Sequence, residues 1–253
     1  MAKKATEAAT DLIDIADLAT ASGAGLEGIR GADLAIPFLQ ILQQLSPEVN
    51  EGKSDYVEGA KPGMVINSVT NQLYDTKKTP IRFVPCSFTK LFVEWRPRES
   101  GGGIVCSHRD PAILTQCHKN EKGQDVLPNG NIVSTTAYHF GLVVTENGEE
   151  KVLIPMSSTQ LKNSRRWLSL ITTVKLQGPN GPFTPPMFAF EYNLKTHMEE
   201  NSKGSWYGWN IELGEQVKEK RLFLEAKSAY EGTKNLAGLL GGTQQKEAEA
   251  LPY

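Results

Sequence analysis

The chain has 253 residues, of which 39% are apolar, and its 27 bases and 29 acids give a formal net charge of −2 at pH 7. That length buries a core without covalent staples, and the three cysteines, Cys86, Cys106 and Cys117, are an odd number that builds no disulfide framework. No stretch approaches the roughly 20 uninterrupted apolar residues of a spanning helix, and residues 1–30 lack the apolar run of a secretory signal, so a reducing cytoplasm and no membrane partner are expected.

Residues 1–30 are rich in Ala, Gly, Thr and Asp, and Ser22-Gly23-Ala24-Gly25 breaks any helix begun at Asp11 to Leu18, which predicts a flexible acidic arm. From Asp33, the residues Leu34, Phe38, Leu39, Ile41, Leu42 and Leu45 recur at near-helical spacing up to Ser46-Pro47. A short amphipathic helix is expected there, with Pro37 in its first turn or kinking it. After Pro62-Gly63 the pattern changes to period two. Strands are expected at Met64 to Val69, Ile81 to Phe88, Lys90 to Trp95 and Ile104 to His108, bounded by Asn, Pro and Gly. The polar segment Arg109 to Asn131 reads as a long loop or insertion. Further strands are predicted at Ser134 to Thr145, Lys151 to Pro155, Met187 to Leu194 and Ser205 to Leu213. Between them one strong helix begins at Ser157 or Ser158, presents Leu161, Trp167, Leu168, Leu170, Ile171 and Val174 as an apolar face, and stops at Gly178-Pro179. A second helix is expected at about Glu215 to Tyr230. The elements add up to an α+β protein with a curved antiparallel β-sheet or OB-like barrel core, a few flanking helices and flexible termini. Its expected parts are an arm (1–30), a single β-rich domain (31–230) and a tail (231–253).

The charges are segregated along the chain. Residues 1–58 hold ten acids and four bases, whereas residues 77–98 hold six bases and Glu94 alone, and residues 151–190 hold five bases and no acid. Segments kept clear of carboxylates suit a polyanionic partner. On a helical wheel, Lys162, Arg166, Ser169 and Thr173 fall within about 60° of one another with Arg165 nearby, a row of cations and hydroxyls that can follow a phosphate backbone. An ordinary solvated helix face is the competing reading, although no acid stands at i±4. In Phe83 to Arg98, aromatics and bases interleave: Phe88, Lys90 and Phe92 share one strand face with Glu94 and Arg96, while Leu91, Val93 and Trp95 share the other. Ser205-Trp206-Tyr207-Gly208-Trp209 sets aromatics on both faces. Such rings either pack in the core or stack on unpaired bases.

Cys106-Ser107-His108 and Cys117-His118 contain zinc-ligand types, but their spacing is not that of two close ligand pairs, so Cys106, His108, Cys117 and His118 are a weak metal set. No nucleophile elbow, Walker loop, zinc-protease helix or dinucleotide fingerprint occurs. Neither an enzyme nor a cofactor is expected.

The segments IPFLQILQQLSPE, GMVINSVTNQLYDTKKTPIRFVPCSFTKLFVEWRPR, KVLIPMSSTQLKNSRRW and MFAFEYNL together resemble bacteriophage-encoded single-stranded DNA-binding proteins. The ending Leu251-Pro252-Tyr253 looks like the acidic Ile-Pro-Phe-type tails of bacterial single-stranded DNA-binding proteins, with Tyr in the last place and two acids before it. The resemblance implies an OB-like core, strand binding through basic and aromatic residues during phage replication or recombination, and tail contacts with replication or recombination proteins. The resulting expectation places phosphates on Lys90, Arg96, Arg98, Lys162, Arg165 and Arg166, and bases on Phe92, Trp95, Trp206 and Trp209. RNA satisfies the same chemistry. A homo-oligomer is compatible with this reading; the alternative is a phage structural or assembly protein that uses its basic segments against other proteins.

Overall fold

The structure, a computed structural model, describes residues 15–20, 22, 24, 25, 35, 37–202, 204–233 and 240. The chain divides into two compact units, Met1–Leu34 and Ala35–Tyr253. In the first, the short helix α1 covers Ile15–Thr20; most of the predicted acidic arm lies outside the described residues.

The second unit begins with a departure from the expected helix at 34–45. Its described part forms strand β1, Leu39–Ile41, which pairs antiparallel with β2, Val65–Asn67; β2 in turn pairs with β3, Leu73–Tyr74. Pro37 offers no N–H for a helix, and the backbone groups around it are engaged by strands: Leu153 N–H donates to the Pro37 carbonyl at 2.8 Å and Ser68 N–H to the Phe38 carbonyl at 2.9 Å. Phe38 and Leu39 both bury, each in a different core cluster. Successive apolar residues on opposite faces imitate a helical pattern, and Leu45 is left 79% exposed.

Next comes β4, one continuous strand over Ile81–Trp95 where two were expected, followed by β5 at Ile104–His108. The region expected to be a loop carries a hairpin of β6, His118–Lys119, and β7, Asp125–Val126. Strand β8 spans Ile132–Thr145 and β9 spans Gly148–Ser157. Helix α2 runs from Leu161 to Thr173 after a 3-10 turn at Ser158–Gln160. A small hairpin, β10 at Leu176–Gly178 and β11 at Gly181–Phe183, follows it. Strands β12, Phe190–Asn201, and β13, Gly204–Gln216, precede the last helix, α3, at Lys220–Gly232. Met187–Ala189 is a 3-10 turn, not a strand start. Glu215 and Gln216 finish β13 and do not begin α3; Val217 N–H donates to the Ala189 carbonyl and its side chain is buried, so the strand outcompetes the helix there.

The main sheet is antiparallel, of eight strands in the order β13-β12-β4-β8-β7-β6, with β5 added to β4 and β9 to β8. It curls into a half-barrel. No closing strand pair of an OB-type barrel occurs among the described strands.

The register of β4 shifts between Pro85 and Ser87, so Cys86 is an extra residue against β8. A bulge of this kind accommodates Pro85 inside a paired strand, and it inverts the facing of side chains. Ile81 and Phe83 lie with α2, Val84 and Cys86 lie with α3, and beyond the bulge Leu91 and Val93 continue the α3 side. The face partners inferred from sequence for Phe88 to Trp95 therefore hold. Opposite the bulge, a Cβ on Gly141 would stand 2.3 Å from the Val84 carbonyl oxygen and 2.5 Å from the Phe83 ring. Gly141→Ala is expected to destabilise by about 3 kcal/mol through overpacking. A urea midpoint that does not move would show the strands free to separate there.

The sheet is covered on both faces. One cluster joins Val84, Leu91, Val93 and Leu142 to Phe188 and to Leu222, Ala226 and Ala229 of α3, and it includes Leu240 from the predicted tail. The other joins Phe83, Val143, Ile154, Tyr192, Leu194 and Trp209 to Trp167 and Ile171 of α2. His139 is buried in this second layer, 2.8 Å from Ser164 Oγ and stacked on Trp167 at 4.4 Å between centroids.

Candidate nucleic-acid interface

After Trp95 the chain passes through Arg96, Pro97 and a 3-10 turn at Arg98–Ser100, and returns to β5 through Gly101-Gly102-Gly103. All three glycines have positive φ, +97°, +65° and +92°. The return is a left-handed path that residues with a Cβ adopt only under strain. This hairpin, the β6–β7 hairpin, the first residues of β8 and the start of α2 line a groove of about 1170 Å³.

Arg96, Arg98, Lys119 and Lys122 line the groove, against the carboxylates Glu99 and Asp125. Lys119 and Asp125 pair at 2.8 Å. The half-buried Trp95 packs against the α3-side core and also lines the groove. On the far side stand Ser157, Ser158 and Leu161. No side chain caps α2 and its own first turn holds no acid, but the Glu199 carboxylate of β12 lies beside that turn, bonded to Lys162 and Asn163, and offsets the positive end of the helix.

The structure sorts the sequence-predicted residues into three groups. Trp95, Arg96 and Arg98 come together in the groove. Lys90, Arg165, Arg166 and Trp206 lie elsewhere: Lys90, Arg165 and Arg166 are exposed, with Lys90 Nζ 5.9 Å from the Phe92 ring centroid, and Trp206 is half-buried. The third group is a correction. Phe92 and Trp209 are each only 3% exposed, Phe92 against Leu127 and Val133 and Trp209 in the α2-side core, so neither offers a ring to a base. Leu251, Pro252 and Tyr253 lie outside the described residues.

The carboxylate-free segment 151–190 is not free of carboxylates in space. Lys151 pairs with Glu225 of α3 at 3.2 Å, and Lys162 pairs with Glu199 of β12. The Glu199 carboxylate is buried, which alone would raise its pKa, but hydrogen bonds from Lys162 and Asn163 hold it below the usual range. Gly208 makes room for it, since a Cβ there would stand 2.2 Å from Glu199 Oε1. Lys162 therefore braces α2 against the sheet. In residues 77–98, Arg82 is held by Glu191 through two bonds of 2.8 Å. Among the described residues no carboxylate lies within ion-pair distance of Arg165 or Arg166.

Sequence reasoning missed Lys119 and Lys122, because the segment holding them was read as a loop. The turn Asn120 to Gln124, with Gly123 at positive φ between two short polar strands, is the signal that marks the hairpin. Of the four Cys/His candidates, only Cys106 and His108 meet, and they do so beside Glu94: His108 Nε2 is 2.9 Å from Glu94 Oε2, and Cys106 Sγ is 3.3 Å from His108 Nε2. Cys117 Sγ is directed at the Ile113 carbonyl at 3.5 Å and packs against the Phe92 cluster, while His118 is exposed on β6.

No helix of the described residues is long and apolar enough to cross a membrane. A family model described as Pam3 phage gp34-like protein matches residues 4–237. No curated protein and no solved structure matches the chain.

Proposed function

The chain belongs to the Pam3 phage gp34-like protein family, and on that premise we propose that it is a phage single-stranded DNA-binding protein that holds the strand in the groove beside Trp95. The observation that carries this reading is that Arg96, Arg98, Lys119 and Lys122 line, together with the half-buried Trp95, one groove of about 1170 Å³. Cations that follow a backbone supply affinity without reading sequence, and a ring beside them accepts any base, because every base has a π-face. Arg165 and Arg166 extend the basic surface outside the groove. Protection of strands in phage replication or recombination is the role this chemistry suits, with no catalytic step.

Fluorescence anisotropy of labelled single-stranded DNA, duplex DNA and single-stranded RNA tests it. Four neutralised phosphates on a single strand predict a log–log salt slope of about −3. Arg96→Glu with Arg98→Glu is expected to weaken single-strand binding by about 100-fold, more than Arg165→Glu with Arg166→Glu. Lack of binding at low salt, together with a large assembly formed without nucleic acid, would favour a structural or assembly protein. RNA bound more tightly than DNA would change the substrate class but not the site.

A further inference from the structure

The cluster of Glu94, Cys106 and His108 lies at the base of the hairpin that forms one wall of the groove. In the ladder, Cys106 stands opposite Glu94 and His108 opposite Phe92, so all three side chains leave the same face of β4 and β5. A register shift between Glu94 and Trp95 adjoins them, and such irregularities re-aim side chains. Their potential ligand atoms form a closed triangle: Glu94 Oε2 to His108 Nε2 is 2.9 Å, Cys106 Sγ to His108 Nε2 is 3.3 Å, and Cys106 Sγ to Glu94 Oε2 is 3.4 Å.

We propose that Glu94, Cys106 and His108 form a three-ligand site for Zn²⁺, with the fourth position open to solvent. Metal–ligand bonds of about 2.0–2.3 Å at tetrahedral angles put ligand atoms about 3.3–3.6 Å apart, so the triangle needs to widen by only a few tenths of an ångström. Thiolate, imidazole and carboxylate together suit a borderline-soft ion and not Mg²⁺ or Ca²⁺. The surroundings of Glu94 are those of an oriented ligand. Its carboxylate is buried, and Asn131 and Asn129 both donate to Oε1, which turns Oε2 toward the sulfur and the ring nitrogen. Outer amides that fix a ligating carboxylate are a recurring part of metal sites. Cys106 is exposed, so ion and solvent have access. On binding, the Cys106 thiol loses its proton to solvent and its sulfur lone pair makes the metal bond; no oxidant or reductant is needed. The bound ion joins β4 to β5 and holds the Arg96–Gly103 hairpin in place. The alternative is a simple Glu94–His108 ion pair beside an incidental thiol.

The test uses the full chain, reduced and stripped with a chelator, then titrated with Zn²⁺ and separately with Co²⁺. One equivalent of Co²⁺ is expected to give the visible bands of a four-coordinate centre and a near-ultraviolet thiolate band. Cys106→Ser and His108→Gln, each checked for native circular dichroism, are expected to weaken binding by about 100-fold, and Asn131→Ala by about 10-fold. Cys117→Ser with His118→Ala is expected to leave the stoichiometry and spectrum unchanged. Absence of one-to-one binding in the unaltered chain, binding that survives loss of Cys106 or His108, or binding that needs Cys117 and His118 would each overturn the proposal. Zinc binding and strand binding are scored by different signals, so either can fail alone.

Discussion

Replacing Trp167 with alanine is expected to destabilise the protein by about 3–5 kcal/mol, a large part of the roughly 5–15 kcal/mol that holds a domain folded. Trp167 is fully buried, its ring centroid 5.6 Å from Phe83, 4.4 Å from His139 and 5.8 Å from Tyr192. Alanine leaves a cavity between α2 and the sheet that strands paired on both sides cannot close. Trp167→Phe provides the contrast. The indole Nε1 is buried without a hydrogen-bond partner, so the smaller ring removes an unsatisfied donor as well as contact area, and a cost of about 1.5 kcal/mol or less is expected. Urea unfolding followed by circular dichroism separates the two. Equal losses would mean that the volume of the indole is not what α2 rests on.

Acid is expected to weaken the fold through His139. Burial pushes its pKa down from 6.5 to about 3. In the unfolded chain the imidazole takes a proton near pH 6.5; in the folded chain it resists until about pH 3. Between these values the unfolded state binds the extra proton, so stability falls as pH falls. The loss is about 2 kcal/mol at pH 5 and on the order of 5 kcal/mol once pH 3 is reached. Carboxylates such as Glu199, whose folded pKa is lowered, push in the same direction at the acid end. The histidine share is therefore read as the difference in slope between the unaltered protein and His139→Gln. Parallel stability curves for the two from pH 7 to pH 5 would refute it.

The periodicity of the chain reveals the strands because β-branched residues alternate on both sides of tight turns; β5 falls on the predicted residues, and β8, β9 and α2 fall within a few residues of theirs. It fails at 39–41, where a strand buried on both faces shows the apolar density of a helix. The groove was legible in part. Trp95, Arg96 and Arg98 are neighbours in sequence and stay together, whereas the cations of β6–β7 reach the same groove only through the pairing of β7 with β8. Period two assigned Phe92 and Trp209 to correct faces but could not show that both faces are covered. The separation of charge along the chain misled for a related reason: Glu225, Glu199 and Glu191 are distant in sequence from the bases they neutralise. The cross-strand register that brings Glu94 to Cys106 is likewise a property of the ladder and not of any short segment.

The extra residue at Cys86 also governs how variation along β4 is to be interpreted. Ahead of it, odd-numbered positions point toward α2; past it, odd-numbered positions point toward α3. A substitution scan of this strand thus obeys two opposite parity rules that meet at a single thiol. Removing Cys86 itself would leave that facing unchanged, because Pro85 and Ser87 already oppose the adjacent residues Gly141 and Phe140, whereas removing a paired residue such as Thr89 would exchange inside for outside along all that follows: Lys90 would turn to the layer that Leu91 now fills, and the Glu94 carboxylate would leave the face it shares with Cys106 and His108.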